Sequence, residues 1–177
     1  CGDGCPLLLL TAVGLALAGG GALFLSFTGD FLPHDVAFLG MQPSALCELN
    51  ECRIVHFMIH DRASFGGVLV SLALLYAWVA LFPIKQGETW AWWLLLISFA
   101  TGFGSFLCYL GYGYLDTWHG WATLALLPVA AGAVVLTRRL CPGGLNLASG
   151  WKPARWASRE GIGRLMWILS SLGLIGA

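Results

Sequence analysis

Residues 65–82 of this chain read FGGVLVSLALLYAWVALF and contain no charged side chain. Three further stretches have the same character, at 6–27, 91–112 and 121–137. Each is near the ~20 residues that an α-helix needs to cross the hydrocarbon core of a bilayer. A fifth apolar stretch occupies 165–177. The pattern predicts an all-α, polytopic membrane helix bundle with four transmembrane helices and a partial fifth.

The loops between these stretches differ strongly in charge. If the helices alternate in direction, one side receives the N-terminus and loops 83–90 and 138–164, and the other receives loops 28–64 and 113–120. The first side carries seven of the nine basic residues: Lys85, Arg138, Arg139, Lys152, Arg155, Arg159 and Arg164. The second carries six of the nine acidic residues: Asp30, Asp35, Glu48, Glu51, Asp61 and Asp116.

Basic residues accumulate in cytoplasmic loops of membrane proteins. The charge pattern therefore predicts a cytoplasmic N-terminus in a multi-pass protein of the cell (inner) membrane, with loop 28–64 periplasmic or extracellular. A basic loop of this kind usually sets the orientation of the protein in the membrane and attracts anionic lipid. Charged residues make up only 10% of the chain, against about a quarter in soluble domains. Nucleic-acid binding is disfavoured because this juxtamembrane loop holds the only basic run in the sequence.

We predict two parts, a four-helix unit at 1–137 with a structured outer loop, and a basic loop plus the start of a fifth helix at 138–177. Residues 161–174 resemble 2–15, with three glycines in register. This similarity indicates a possible second repeat, an arrangement common in membrane proteins.

Small residues recur at i, i+4 and i+8 in two predicted helices: Gly14, Ala18 and Ala22 in the first, and Ala100, Gly104 and Cys108 in the third. Such lines allow membrane helices to approach closely. We therefore expect the third helix to pack inside the bundle along its small-residue line. Within loop 28–64 we expect a short helix capped by Ser44, and we expect the second membrane helix to begin as early as Arg53.

The histidines and most acids fall on the predicted outer side, and three interpretations of them stay open. A structural polar cluster would comprise His60, Asp61, Arg62, Asp116 and His119, with Arg62 paired to one of the aspartates. A zinc or iron site would take His56, His60, Asp116 and His119, because histidines four apart share a helix face. In the third interpretation, one histidine is the axial ligand of a haem or chlorophyll.

Cys47 and Cys52 both lie in the predicted outer loop, where an oxidising compartment permits a disulfide. A separation of five residues fits a turn better than a straight helix. The pair is therefore a candidate disulfide.

Three motifs resemble those of an uncharacterised family of bacterial polytopic membrane proteins. They are FLPHDVAFLG at 31–40, HDRASFGG at 60–67 and GYGYLDTWH at 111–119. The resemblance implies a membrane fold, and longer members with a recurring unit would agree with the repeat. It implies no particular activity.

No complete catalytic motif is present, little of the chain lies outside the apolar stretches, and the outer loop is itself apolar. The sequence therefore favours a non-catalytic integral membrane subunit that packs in or stabilises a larger respiratory or photosynthetic complex, with other membrane subunits and lipid as partners. The alternative is a metal-, haem- or quinone-dependent membrane redox protein or enzyme with an outward-facing His/Asp site. A transporter is disfavoured because no charged residue falls inside the four complete spans.

Overall fold

The computed structural model describes residues 4–29, 31–113, 117–144, 158, 161–163, 165–166 and 168–169, with the backbone alone at 118 and 119. The chain forms two compact units, Cys1–Gly144 and Leu145–Ala177. In the second unit the described residues from 161 onward are helical, and Ser158 Oγ accepts a hydrogen bond from the N–H of Gly161 at 3.1 Å. The predicted fifth helix and second repeat involve residues outside the description and stay predictions.

The first unit consists of helices joined by short turns. In chain order they are α1 (Gly4–Thr28), α2 (Pro33–Leu39), α3 (Pro43–Asn50), α4 (Arg53–Leu81), α5 (Thr89–Gly111) and α6 (Thr117–Thr137). Four of them, α1, α4, α5 and α6, are long and apolar enough to cross a membrane. The predicted all-α bundle with four transmembrane helices is thereby confirmed, and α4 begins at Arg53 as expected.

Prolines and one glycine set the bounds of the short helices between α1 and α4. Pro33 and Pro43 occupy the first turns of α2 and α3, where a missing N–H costs nothing. Gly40 ends α2 in the left-handed region, with φ of 66°. The expected cap at Ser44 is wrong: Gln42 is the N-cap residue of α3, and the helix ends at Asn50 instead of reaching Arg53.

Two glycines allow a close approach of α1 to α4. A Cβ on Gly19 would lie 2.7 Å from the carbonyl oxygen of Gly66, and one on Gly66 would lie 2.9 Å from the carbonyl oxygen of Gly19. No other residue type fits such a contact without moving a backbone. Gly14 is similarly close to Leu126 of α6. Small residues on α1 therefore do pack helices together, although the close backbone contact with α4 involves Gly19, which lies outside the predicted line.

The buried core lies at one end of the unit, which we call the core end. It joins the first half of α1 to the last turns of α4 and α6 and the start of α5, together with turns 82–88 and 138–144. Ile84 and Cys141 are fully buried there. Trp92 Nε1 donates to the carbonyl of Val134 at 2.8 Å, and the Arg138 guanidinium lies 4.8 Å from the Trp92 ring centroid. Turn 138–144 thus belongs to the packed unit.

The opposite half of α5 is open. Ala100, Gly104 and Cys108 are all exposed, and a Cβ on Gly104 would meet nothing within 4 Å. The expectation that α5 packs inside the bundle along this line is therefore wrong. The reason is that the large side chains on the other face, including Leu95 and Phe99, form the core contacts of α5. In α6, buried residues begin at Ala130, just after the internal Pro128.

Candidate functional site

A buried ion pair lies at the end of the unit opposite to the core end, where α2 meets α4. Arg62 Nη2 is 2.6 Å from Asp35 Oδ2, and the two side chains are only 13% and 4% exposed. This bond is short and charge-assisted, and such bonds are among the stronger hydrogen bonds in proteins. The pair connects the segment between the first two spans to the start of the second span.

Asp35 is held in place by the helix that it caps. It is the third residue of α2, and its Oδ2 also accepts a hydrogen bond from the backbone N–H of Leu32 at 2.8 Å. A carboxylate in the first turn is further stabilised by the positive end of the helix dipole. The same oxygen therefore fixes the N-terminus of α2 and the guanidinium of Arg62.

His34 completes the described part of this cluster. Its Nε2 lies 3.5 Å from Asp35 Oδ1, and its side chain is 20% exposed. The imidazole is therefore at the edge of a buried carboxylate, where a proton on the ring would face a negative charge. We refer to His34, Asp35 and Arg62 as the polar cluster.

The predicted partner of Arg62 was different. Asp61 is exposed and does not pair with its neighbour, because successive residues of α4 point in different directions. His56 and His60 lie on α4 and are also exposed. The structure therefore brings Arg62 to Asp35 and leaves these three side chains at the surface.

Asp116 and the side chain of His119 lie outside the described residues, so their predicted meeting with His60 and Arg62 stays a prediction. The same holds for the site of His56, His60, Asp116 and His119. Within the described part of the chain, no group of three or more His, Cys, Asp or Glu residues is placed to hold a metal ion.

A disulfide closes the turn between α3 and α4. Cys47 and Cys52 are bonded, and Glu51 and Cys52 adopt left-handed backbone angles, with φ of 50° and 62°. The bond spans a sharp change of direction that few non-glycine residues adopt. Leu46 and Val55, both buried, lie on the two helices that this turn joins.

The segment around this turn exposes many large apolar side chains, two of which, Ile54 and Phe57, lie in the first two turns of α4. Leu49 is 71% exposed and Phe57 is 68% exposed. The others are Phe38, Leu39, Met41 and Ile54. We call these six residues the outer apolar surface.

The polar cluster holds charge in a fixed arrangement, and its described members contain no nucleophile next to a base. Reasoning from sequence missed Asp35, although a signal for it exists. An acid two residues after a proline that opens a helix is the usual position for a side chain that caps the preceding N–H. Comparison of the chain with protein-family models, with curated proteins and with solved structures finds no match.

Proposed function

We propose that this integral membrane protein is a non-catalytic subunit that packs against other membrane subunits of a larger complex. The observation that carries the proposal is the open half of α5. Its exposed small residues form the kind of face that membrane helices use for close contact, and helices α1 to α6 leave it exposed in the described part of the chain.

The open half of α5 carries hydroxyl groups and no charged side chain. A partner helix could therefore pack on it without burying a charge. Thr101 and Ser105 bond their own backbone, at 2.9 Å to the Ile97 carbonyl and 2.7 Å to the Gly102 carbonyl. Their hydroxyls are therefore satisfied in lipid and still available to a neighbouring helix.

The outer apolar surface supports the same function. Leu49 and Phe57 would gain by leaving water, and each fully buried side chain of this type contributes about 1.5–3 kcal/mol. The Asp35–Arg62 pair and the disulfide fix α2 and α3 relative to α4. A surface held in this way suits a partner better than a free loop does, because little conformational entropy is lost on binding.

The test is co-purification of the native complex with Gly104→Leu. A Cβ at Gly104 would meet no described atom within 4 Å, so the isolated subunit should keep its thermal stability while the associated subunits are lost. Gly20→Leu is the matched control, because Gly20 of α1 also has open space around it and should leave the complex intact.

Cys108 offers a second measurement without a new cysteine. It is a free, exposed thiol on the same face of α5. A bifunctional thiol reagent should join it to a partner subunit in wild-type membranes. Unchanged subunit yield in Gly104→Leu, together with no crosslink from Cys108, would show that this face contacts lipid and would contradict the proposed function.

A further inference from the structure

A cavity of about 320 Å³ opens at the turn between α4 and α5. Its walls are formed by Trp78, Phe82, Pro83, Gln86, Glu88 and Trp90. The membrane-spanning helices end at Leu81 and begin again at Thr89 on either side of this turn. The cavity therefore lies at a membrane boundary, at the core end of the unit.

Three aromatic side chains form one wall of the cavity. The ring centroids of Trp78 and Trp90 are 6.4 Å apart, and those of Trp78 and Phe82 are 6.5 Å apart. The ring planes of both pairs are tilted by less than 40°, so the faces form a shallow curved surface. Each of the three side chains is about half exposed, so the chain does not cover these faces itself.

Glu88 is the only charged residue in the lining. It is exposed, and its carboxylate makes no ion pair with any described residue, including Lys85 in the same turn. Aromatic faces attract cations through their ring quadrupole, and a carboxylate adds a full negative charge. An anionic group entering the cavity would instead meet a charge of its own sign.

We propose that this cavity binds the ammonium headgroup of a zwitterionic lipid, phosphatidylethanolamine in a bacterial membrane. The ammonium would lie over the aromatic wall beside Glu88, and the acyl chains would follow the exposed apolar surface of α4 past Leu74, which is 69% exposed. The occupant is a lipid because the cavity opens at the boundary where lipid headgroups lie. The site is independent of the α5 face on which the proposed function depends.

The experiment is native mass spectrometry of the purified wild-type protein with phosphatidylethanolamine and phosphatidylglycerol of identical acyl chains. Phosphatidylethanolamine should be retained about two- to fivefold more strongly, the range for a cation over an exposed aromatic face. Equal retention of the two lipids, or a preference for phosphatidylglycerol, would overturn the proposal.

Two variants locate the binding. Glu88→Gln and Trp90→Leu should each remove most of the preference, whereas Lys85→Gln in the same turn and exposed Trp121→Leu at the other end of the bundle should retain it. All four positions are at the surface, so thermal unfolding is expected to stay close to wild type. A preference that survives both cavity variants would place the lipid elsewhere and contradict the assignment.

Discussion

Arg62 and Asp35 are separated by 27 positions in the sequence, yet their charged atoms are 2.6 Å apart in a site that water barely reaches. The chain contains a second ion pair that serves as a comparison. Arg53 and Glu51 lie 3.2 Å apart, with side chains 78% and 83% exposed. Both are pairs of an arginine with a carboxylate, but only the first is buried. A comparison of their contributions to stability therefore separates the effect of burial from the effect of charge alone.

Asp35→Asn should destabilise the protein by on the order of 3 kcal/mol, because it removes the negative charge that lies 2.6 Å from the buried Arg62 guanidinium. Glu51→Gln should cost less than about 1 kcal/mol, since exposed pairs contribute little. Equilibrium unfolding in detergent measures both. Equal effects of the two substitutions would mean that water reaches the buried pair.

Gly19→Ala should destabilise the contact of α1 with α4 by about 1–3 kcal/mol, the usual cost of overpacking. The added methyl would lie 2.7 Å from a backbone oxygen of α4, which cannot rotate away. Gly20→Ala is the control. It adds the same methyl to the next residue, where nothing lies within 4 Å, and should leave stability unreduced.

Cys141 should resist thiol reagents that modify Cys108 in detergent. Burial raises the pKa of the Cys141 thiol above its ordinary value of 9.0, and the side chain is fully enclosed. The reactive species is the thiolate. Mass spectrometry after maleimide treatment should show Cys108 modified first, and Cys141 only after denaturation.

The Cys141 thiol should also make the stability of the protein depend on pH. Its folded-state pKa is raised, so its contribution to stability is fully present below pH 9.0 and is lost as the pH rises through the folded-state value. Arg138 lowers the pKa of this thiol, so Arg138→Gln should move that loss to higher pH. Unfolding curves recorded between neutral and strongly alkaline pH would show the shift.

The predicted topology can be tested with cysteines placed at two exposed positions in a Cys108→Ser background. In intact cells an impermeant maleimide should label Asp61→Cys and spare Lys85→Cys. The reverse pattern would invert the orientation. Buried Cys141 cannot serve as the cytoplasmic reporter, because it would be spared on either side.

The disulfides also bear on the predicted topology. Cys5, near the start of α1, is disulfide-bonded, as are Cys47 and Cys52 beyond the other end of that helix. An oxidising compartment lies on one side of a bacterial inner membrane. The proposed topology places the Cys47–Cys52 bond in that compartment and Cys5 on the reducing side. The redox state of Cys5 in cells therefore tests the orientation, and a disulfide at Cys5 there would contradict a cytoplasmic N-terminus.

The spans and the early start of α4 were predictable from sequence because apolar length and the lack of proline are local properties. The direction in which α5 packs was not predictable. Small residues such as Gly104 and large ones such as Leu95 can both make helix contacts, and the choice depends on the opposing helix. Here Trp92 reaches the Val134 carbonyl and fixes the rotation of α5, which turns Gly104 outward.

The polar cluster was likewise predictable from sequence only in part. The cost of an unpartnered charge near a membrane boundary identified Arg62 as a residue that needs an acid. Which acid is used depends on the path of 29–52, where Pro33 starts α2 and brings Asp35 back to α4. The sequence left Asp61 and Asp116 open as partners of Arg62, and adjacent residues on a helix such as Asp61 and Arg62 do not face each other.

Pro128 lies inside α6 and marks a point at which the helix can bend. A proline has no N–H to bond the carbonyl four residues earlier, so the helical ladder is interrupted at that point. Beyond it, Ala130, Ala133 and Val134 are anchored in the core, while no described side chain before it is buried. The first half of α6 is therefore held by partly buried contacts, such as that of Leu126 with Gly14 of α1, and less firmly than the second half. Amide exchange should be faster at 117–127 than at 130–137, and this difference would shrink when a neighbour binds.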